Sequence, residues 1–253
     1  MKYRVIVFLV VCQVVALRAQ KFFNHPEPEE PRNKGKAILL HVSFGAQLPG
    51  ADMANRFGGN GVYGGGIDFM TAGNFFFGIE GQGLFGQSVK DDPLSILRTP
   101  DGFIIGNDRA LSRVLFRERG VYLGATIGKL MTFQEDRKGL RVAIGAGWLE
   151  HSIQIQDDDR TLTQVTGDYA KGYDRLVGGL ALNEFVGWQI LGKLKRSNFM
   201  IGFEFNQGFT QTRRDWDFSA MRKLEEKRLD LRFGIKAAWT IPFYLGNSAE
   251  LFY

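Results

Sequence analysis

His41 and Ser43 stand two residues apart in the segment Leu40-His-Val-Ser-Phe44. On an extended chain that spacing puts both side chains on one face. An imidazole beside a hydroxyl there has the beginnings of a base and a nucleophile. A hydrolase also needs an acid to orient the imidazole, and no such residue is identifiable by spacing. His151 and Ser152 are adjacent, so they face opposite sides, and His25 lies in a proline-rich stretch. With three dispersed histidines and one cysteine, Cys12, near the N-terminus, no histidine- or thiolate-based metal site is expected. Asp157-Asp158-Asp159 offers carboxylates to calcium but lacks the spaced ligands and glycine of a dedicated loop, and reads as a solvated acidic tip. Gly59-x-Gly61-x-x-Gly64 spells the dinucleotide pattern, which works only where a strand turns into a helix. Here it leads into another alternating segment and reads as a flexible loop. No cofactor is expected.

The elements that would position these groups are strands. In Leu229–Phe243 the odd positions are Leu, Leu, Phe, Ile, Ala, Trp, Ile and Phe, while Asp230, Arg232 and Lys236 occupy even ones. One face is wholly apolar, and the segment is about three times the usual globular strand length of ~5–6 residues. That is the pattern of a wall between lipid and a wet lumen. Similar alternation predicts strands over 36–48, 62–71, 75–86, 120–130, 139–155, 174–190 and 199–209. The last long connection, 210–228, has room for one or two helical turns. Connections alternate between long and short, as in barrels with short periplasmic turns and long outer loops. The expected fold class is all-β, a closed antiparallel eight-stranded transmembrane barrel of the outer-membrane type.

Glu184 breaks the pattern, because it shares the outward face of Leu180, Leu182 and Val186 in mid-strand. A β-bulge near Asn183 would turn it inward. Asp68, Glu80, Arg141, Glu204, Arg232 and Lys236 are expected to face the lumen. Asp68 and Glu80 fall nearly opposite each other around the Gly73 turn and need a cation between them. Arg141 and Arg232 are the candidates, in a lumen only wide enough for side chains.

Thirty-two glycines and 22 phenylalanines against seven prolines suit slim strands and tight turns. Residues 1–19 read as a secretory signal: basic Lys2 and Arg4, an apolar run Val5–Val15, and small Ala19 before a cut at Gln20. Lys2, Arg4 and Arg18 supply three of the five net positive charges, so the basic balance is no argument for nucleic-acid binding. Residues 20–34, with Pro26–Pro31, read as a disordered periplasmic tether, and 35–253 as the barrel domain.

Lys171-Gly-Tyr-Asp-Arg-Leu176, Arg213-Arg-Asp-Trp-Asp-Phe218, Lys227-Arg-Leu-Asp-Leu231 and Trp239-Thr-Ile-Pro-Phe-Tyr244 carry a resemblance. The chain resembles small outer-membrane β-barrel proteins of gliding and gingival-type bacteria, the class that includes barrel subunits of type IX secretion. The likeness is strongest over 171–253, and Tyr253 is similar to the aromatic last residue that barrel-assembly machinery reads. The resemblance implies an outer-membrane location and no catalytic residues.

The expected function is a non-enzymatic outer-membrane protein that contacts the bilayer and anchors or assists an envelope complex such as type IX secretion. Its partner-binding residues would be Phe103, Ile104 and Ile105, with Ile96 and Leu97, in the second outer loop, and Arg213, Arg214, Trp216 and Phe218 in the fourth. Exposed apolar clusters meet a partner or fold into a lid. The rival readings are a small lipid-modifying hydrolase using His41 and Ser43, and a narrow channel.

Overall fold

The computed structural model describes residues 34–133, 137–157, 161–192 and 198–245. Residues 1–33, where a secretory signal and a tether are expected, and Asp158, Asp159 and Tyr253 lie outside the described residues. Eight strands close into a ring: β1 (Lys36–Gly50), β2 (Asn60–Met70), β3 (Phe75–Gly86), β4 (Val114–Thr132), β5 (Arg137–Asp157), β6 (Val177–Leu191), β7 (Asn198–Thr212) and β8 (Lys227–Leu245). Each pairs antiparallel with its sequence neighbours, and β8 closes on β1 from Lys36↔Leu245 to Gly50↔Leu231. Within the ring no edge is left, so the backbone is paired where lipid offers no partner, while β4 and β5 run on beyond it as a two-stranded ribbon to Val114↔Asp157.

The alternation predicts the facing. Val42, Phe44, Ile79, Ile127, Ile144, Phe203, Ile235 and Trp239 are exposed on the outside, while Asp68, Glu80, Arg141, Glu204 and Lys236 are buried within. Trp188 lies outward near the short-turn end, stacked with Phe133 at 6.0 Å, and Trp148 lies outward nearer the long loops. Such aromatic girdles mark the two edges of the apolar belt.

Several boundaries differ from the sequence expectation. β4 begins at Val114 rather than 120, because its ladder with β5 continues to Val114↔Asp157. Above the lipid a strand needs no apolar face, so Arg117 and Arg119 interrupt the pattern but not the pairing. β6 starts at Val177 because the chain before it makes a 3₁₀ turn, Gly167–Gly172, and a left-handed residue, Arg175 (φ 52°). The Gly61 and Gly64 positions belong to β2, not to a flexible loop. A Cβ on Gly64 would fall 2.5 Å from the Gly81 carbonyl oxygen, so close strand approach explains that glycine. The last connection carries a short bridge, Asp217↔Arg222, instead of a helical turn. No bulge occurs at Asn183: the register runs Leu182↔Gln207, Asn183↔Asn206, Glu184↔Phe205. Asn183 faces inward and donates to Glu204 and Asn206, so rotating Glu184 into the lumen would expel it.

Candidate functional site

The lumen is filled in layers. At the short-turn end Leu39, Met70, Phe76, Leu130, Leu191 and Met200 meet in an apolar floor. Arg137 lies there too, donating to the Gly35 and Thr71 carbonyls with its guanidinium over the Tyr244 ring. At the other end Met53, Phe57, Val62, Leu84, Tyr122, Leu149 and Ile153 form a second apolar layer. Met53 and Phe57 arrive on the short helix α1 (Ala51–Arg56) and its C-cap, tucked into the barrel mouth.

Between these layers lie the charges singled out from sequence. Arg141 donates to Asp68 (2.6 Å) and to Gln189 (3.0 Å), its guanidinium 3.6 Å above the Phe76 ring. Lys236 donates to Glu80 (2.5 Å) and Glu204 (2.8 Å). Glu204 also accepts from Gln47, Gln82 and Asn183. Arg232 donates to Gln47 rather than to an acid. Thus Asp68 and Glu80 each take a different cation, and Arg232, a candidate from spacing, reaches neither. Their closeness is set by barrel width: a long side chain crossing the lumen meets the opposite wall.

His41 and Ser43 are buried on the inner face. The Nδ1 of His41 stands 3.7 Å from the Asp68 carboxylate, beyond a hydrogen bond, and that carboxylate is held by Arg141. The acid missing from the sequence reading is therefore present, but engaged elsewhere. Sequence reasoning also missed a second buried set: His151 within 2.9 Å of Asp230, which also accepts from Thr210 and Arg228. The alternation places His151 and Asp230 inward, but only barrel closure brings them together.

The outer loops form an ordered cap. Arg56 of α1 and Arg175 of the third loop both approach Asp91 of the second, at 3.6 and 3.5 Å. Arg175 also lies 3.4 Å from Asp217 of the fourth loop and donates to Ser219. One charge cluster thus ties all four loops together. Burial draws the Arg56 pKa down to about 10, the neighbouring Arg228 adding to the effect, while Asp91 opposes it. Arg214 grips Asp174 through two hydrogen bonds, 3.0 and 2.5 Å, which raises its pKa. Phe218 packs edge-on against Tyr173 (5.3 Å), and burial pushes that phenol upward. Leu94, Ile104, Leu162 and Tyr173 form the cap's own core.

The seven loop residues proposed for partner contact therefore separate. Ile104 (3% exposed) and Phe218 are built into the cap, Arg214 is paired within it, and Arg213 lies over the Trp148 ring at 5.4 Å. Phe103 (50% exposed), Ile105 (55%) and Trp216 (48%) remain at the surface. Ile105 pairs with Leu111, also exposed, on a two-stranded hairpin within the second loop.

A closed ring of eight long strands, apolar outside and filled with paired charges inside, defines a transmembrane β-barrel of the outer-membrane type. Among solved structures, the chain is similar to Neisserial surface protein A: TM-score 0.42, 10% identity, covering 83% of this chain and 100% of that one. It is also similar to Ail, the attachment invasion locus protein of Yersinia pestis (0.37, 11%, 82% and 99%). A third is the outer membrane protein OprG from Pseudomonas aeruginosa (0.34, 8%, 84% and 98%). No family model matches the chain, and neither does any curated protein.

Proposed function

We propose that this protein is a non-enzymatic barrel of the bacterial outer membrane whose cap presents a docking surface to an envelope complex. The observation that carries this reading is the pairing of Ile105 with Leu111, both exposed, beside exposed Phe103 on a cap tied together by salt bridges. Apolar side chains displayed on an ordered scaffold lose little entropy when a partner covers them. The resemblance over 171–253 suggests a secretion assembly of the type IX class as the complex, with this chain as an anchor or accessory subunit.

The test is recovery of partners from native outer membranes by cross-linking and pull-down. Phe103→Ser with Ile105→Ser and Trp216→Ala should leave the barrel assembled and remove the recovered protein. Phe218→Ala is a poorer probe, because Phe218 belongs to the cap's interior. Unchanged recovery from the triple variant would move the contact to the periplasmic side.

The hydrolase reading retains one supporting observation, the approach of His41 to Asp68. Against it stand the Arg141 grip on that carboxylate and two apolar layers between His41 and solvent. The same layers oppose conduction, since an apolar constriction excludes water and ions.

A further inference from the structure

Among the described residues, all but two of the outward side chains at the middle of the belt are apolar, aromatic or absent, with Lys129 and Lys138 kept towards the short-turn ends of their strands. Two polar side chains lie away from the rims, and they are neighbours: Gln207 donates to Glu184 at 3.1 Å. Glu184 stands midway along β6, four residues from Trp188 and four from Leu180, whose cross-strand partner is Trp148. It is therefore at the depth of the bilayer centre, between the two girdles. Around it stand Leu182, Val186, Ile144 and Phe203, the last 71% exposed. Their hydrogen bond uses one amide N–H and one carboxyl oxygen. The second N–H, the amide oxygen and the other carboxyl oxygen face a medium with nothing to offer them.

We propose that this wall, β6 and β7 centred on Glu184 and Gln207, is where a second copy of the chain docks within the membrane. The pair carries both donors and acceptors, so a two-fold axis along the membrane normal makes it self-complementary: the carboxyl of one copy meets the amide of the other. Two identical barrels also share one belt height, which brings these groups together at the same depth. In that contact the free N–H of each copy donates to a carboxyl oxygen of the other, so fewer polar atoms are left unsatisfied in both copies. The surrounding aliphatic and aromatic side chains supply the dry rim. This proposal does not depend on the cap.

The experiment uses the full chain in a Cys12→Ser background, folded into bilayers, with one added cysteine. Leu182→Cys reports on the proposed wall and Ile79→Cys on the opposite side of the ring. Oxidation should give at least tenfold more covalent dimer from Leu182→Cys than from Ile79→Cys. Adding Glu184→Leu with Gln207→Leu should abolish most of that dimer, whereas Glu184→Gln, which keeps a donor and acceptor, should retain it. Equal cross-linking on both walls, a dimer that survives the double leucine change, or a different protein captured at residue 182 would overturn the proposal. So would a monomer found by native mass spectrometry of the unmodified chain in nanodiscs, a measurement independent of whether any variant folds.

Discussion

Lys236 holds Glu204 at 2.8 Å in the centre of the barrel, while its chain neighbour Ile235 points into the bilayer. The same ammonium bonds Glu80 on the other side, so one cation serves two buried carboxylates. Removing it leaves two acids in a region without solvent. Lys236→Ala is expected to destabilise the folded barrel by about 3–5 kcal/mol, the usual cost of stranding a buried charge. Restoring neutrality with Glu80→Gln and Glu204→Gln in the same chain should recover most of the loss. Urea titrations in bilayers, read by tryptophan fluorescence, check both.

The adjacent residue tests the wall. Ile235→Arg puts a cation on the lipid face near mid-strand and is expected to cost about 2–4 kcal/mol. Its effect should shrink in detergent micelles, where water reaches the belt, and a penalty equal in both media would contradict the facing of β8.

The cap depends on close packing as well as charge. A Cβ on Gly172 would overlap the Phe218 ring, so Gly172→Ala must push that ring out from beside Tyr173. Overpacking of this kind costs roughly 1–3 kcal/mol. The loss should be confined to the cap. Limited proteolysis is expected to cut the third and fourth loops at least several-fold faster, with the barrel still resistant. Asp217→Asn, which takes a carboxylate from Arg175, should act in the same direction and be weaker in high salt.

Closure itself has a simple signature. The protein should fractionate with outer membranes and migrate faster on gels unboiled than boiled, because a ring without edges resists detergent. Recovery as a soluble protein would exclude the apolar belt as a lipid contact.

The number of strands, their facing and the side carrying the long loops were all legible in the chain, because each rests on local order. A period of two assigns faces one residue at a time, and turn residues mark the ends. Leu229–Phe243 needs no partner to be recognised as a wall. Strand ends outside the lipid were less legible, as at Val114, because no solvent boundary there demands alternation. Pairing across the lumen was legible only in part: spacing offered Arg141 and Arg232 as cations for Asp68 and Glu80, and only closure of the ring decides which cation meets which acid. Arg141 finds Asp68 and Lys236 finds Glu80 over separations of 73 and 156 residues, set by how the closed ring staggers its strands. The cap was equally hidden: whether Ile104 and Phe218 face solvent or one another depends on four loops folding together. Glu184 joins the two levels. Its outward facing followed from β-strand period alone, but only the register of β6 against β7 placed Gln207 beside it, since a hydrogen bond between strands is decided by tertiary alignment.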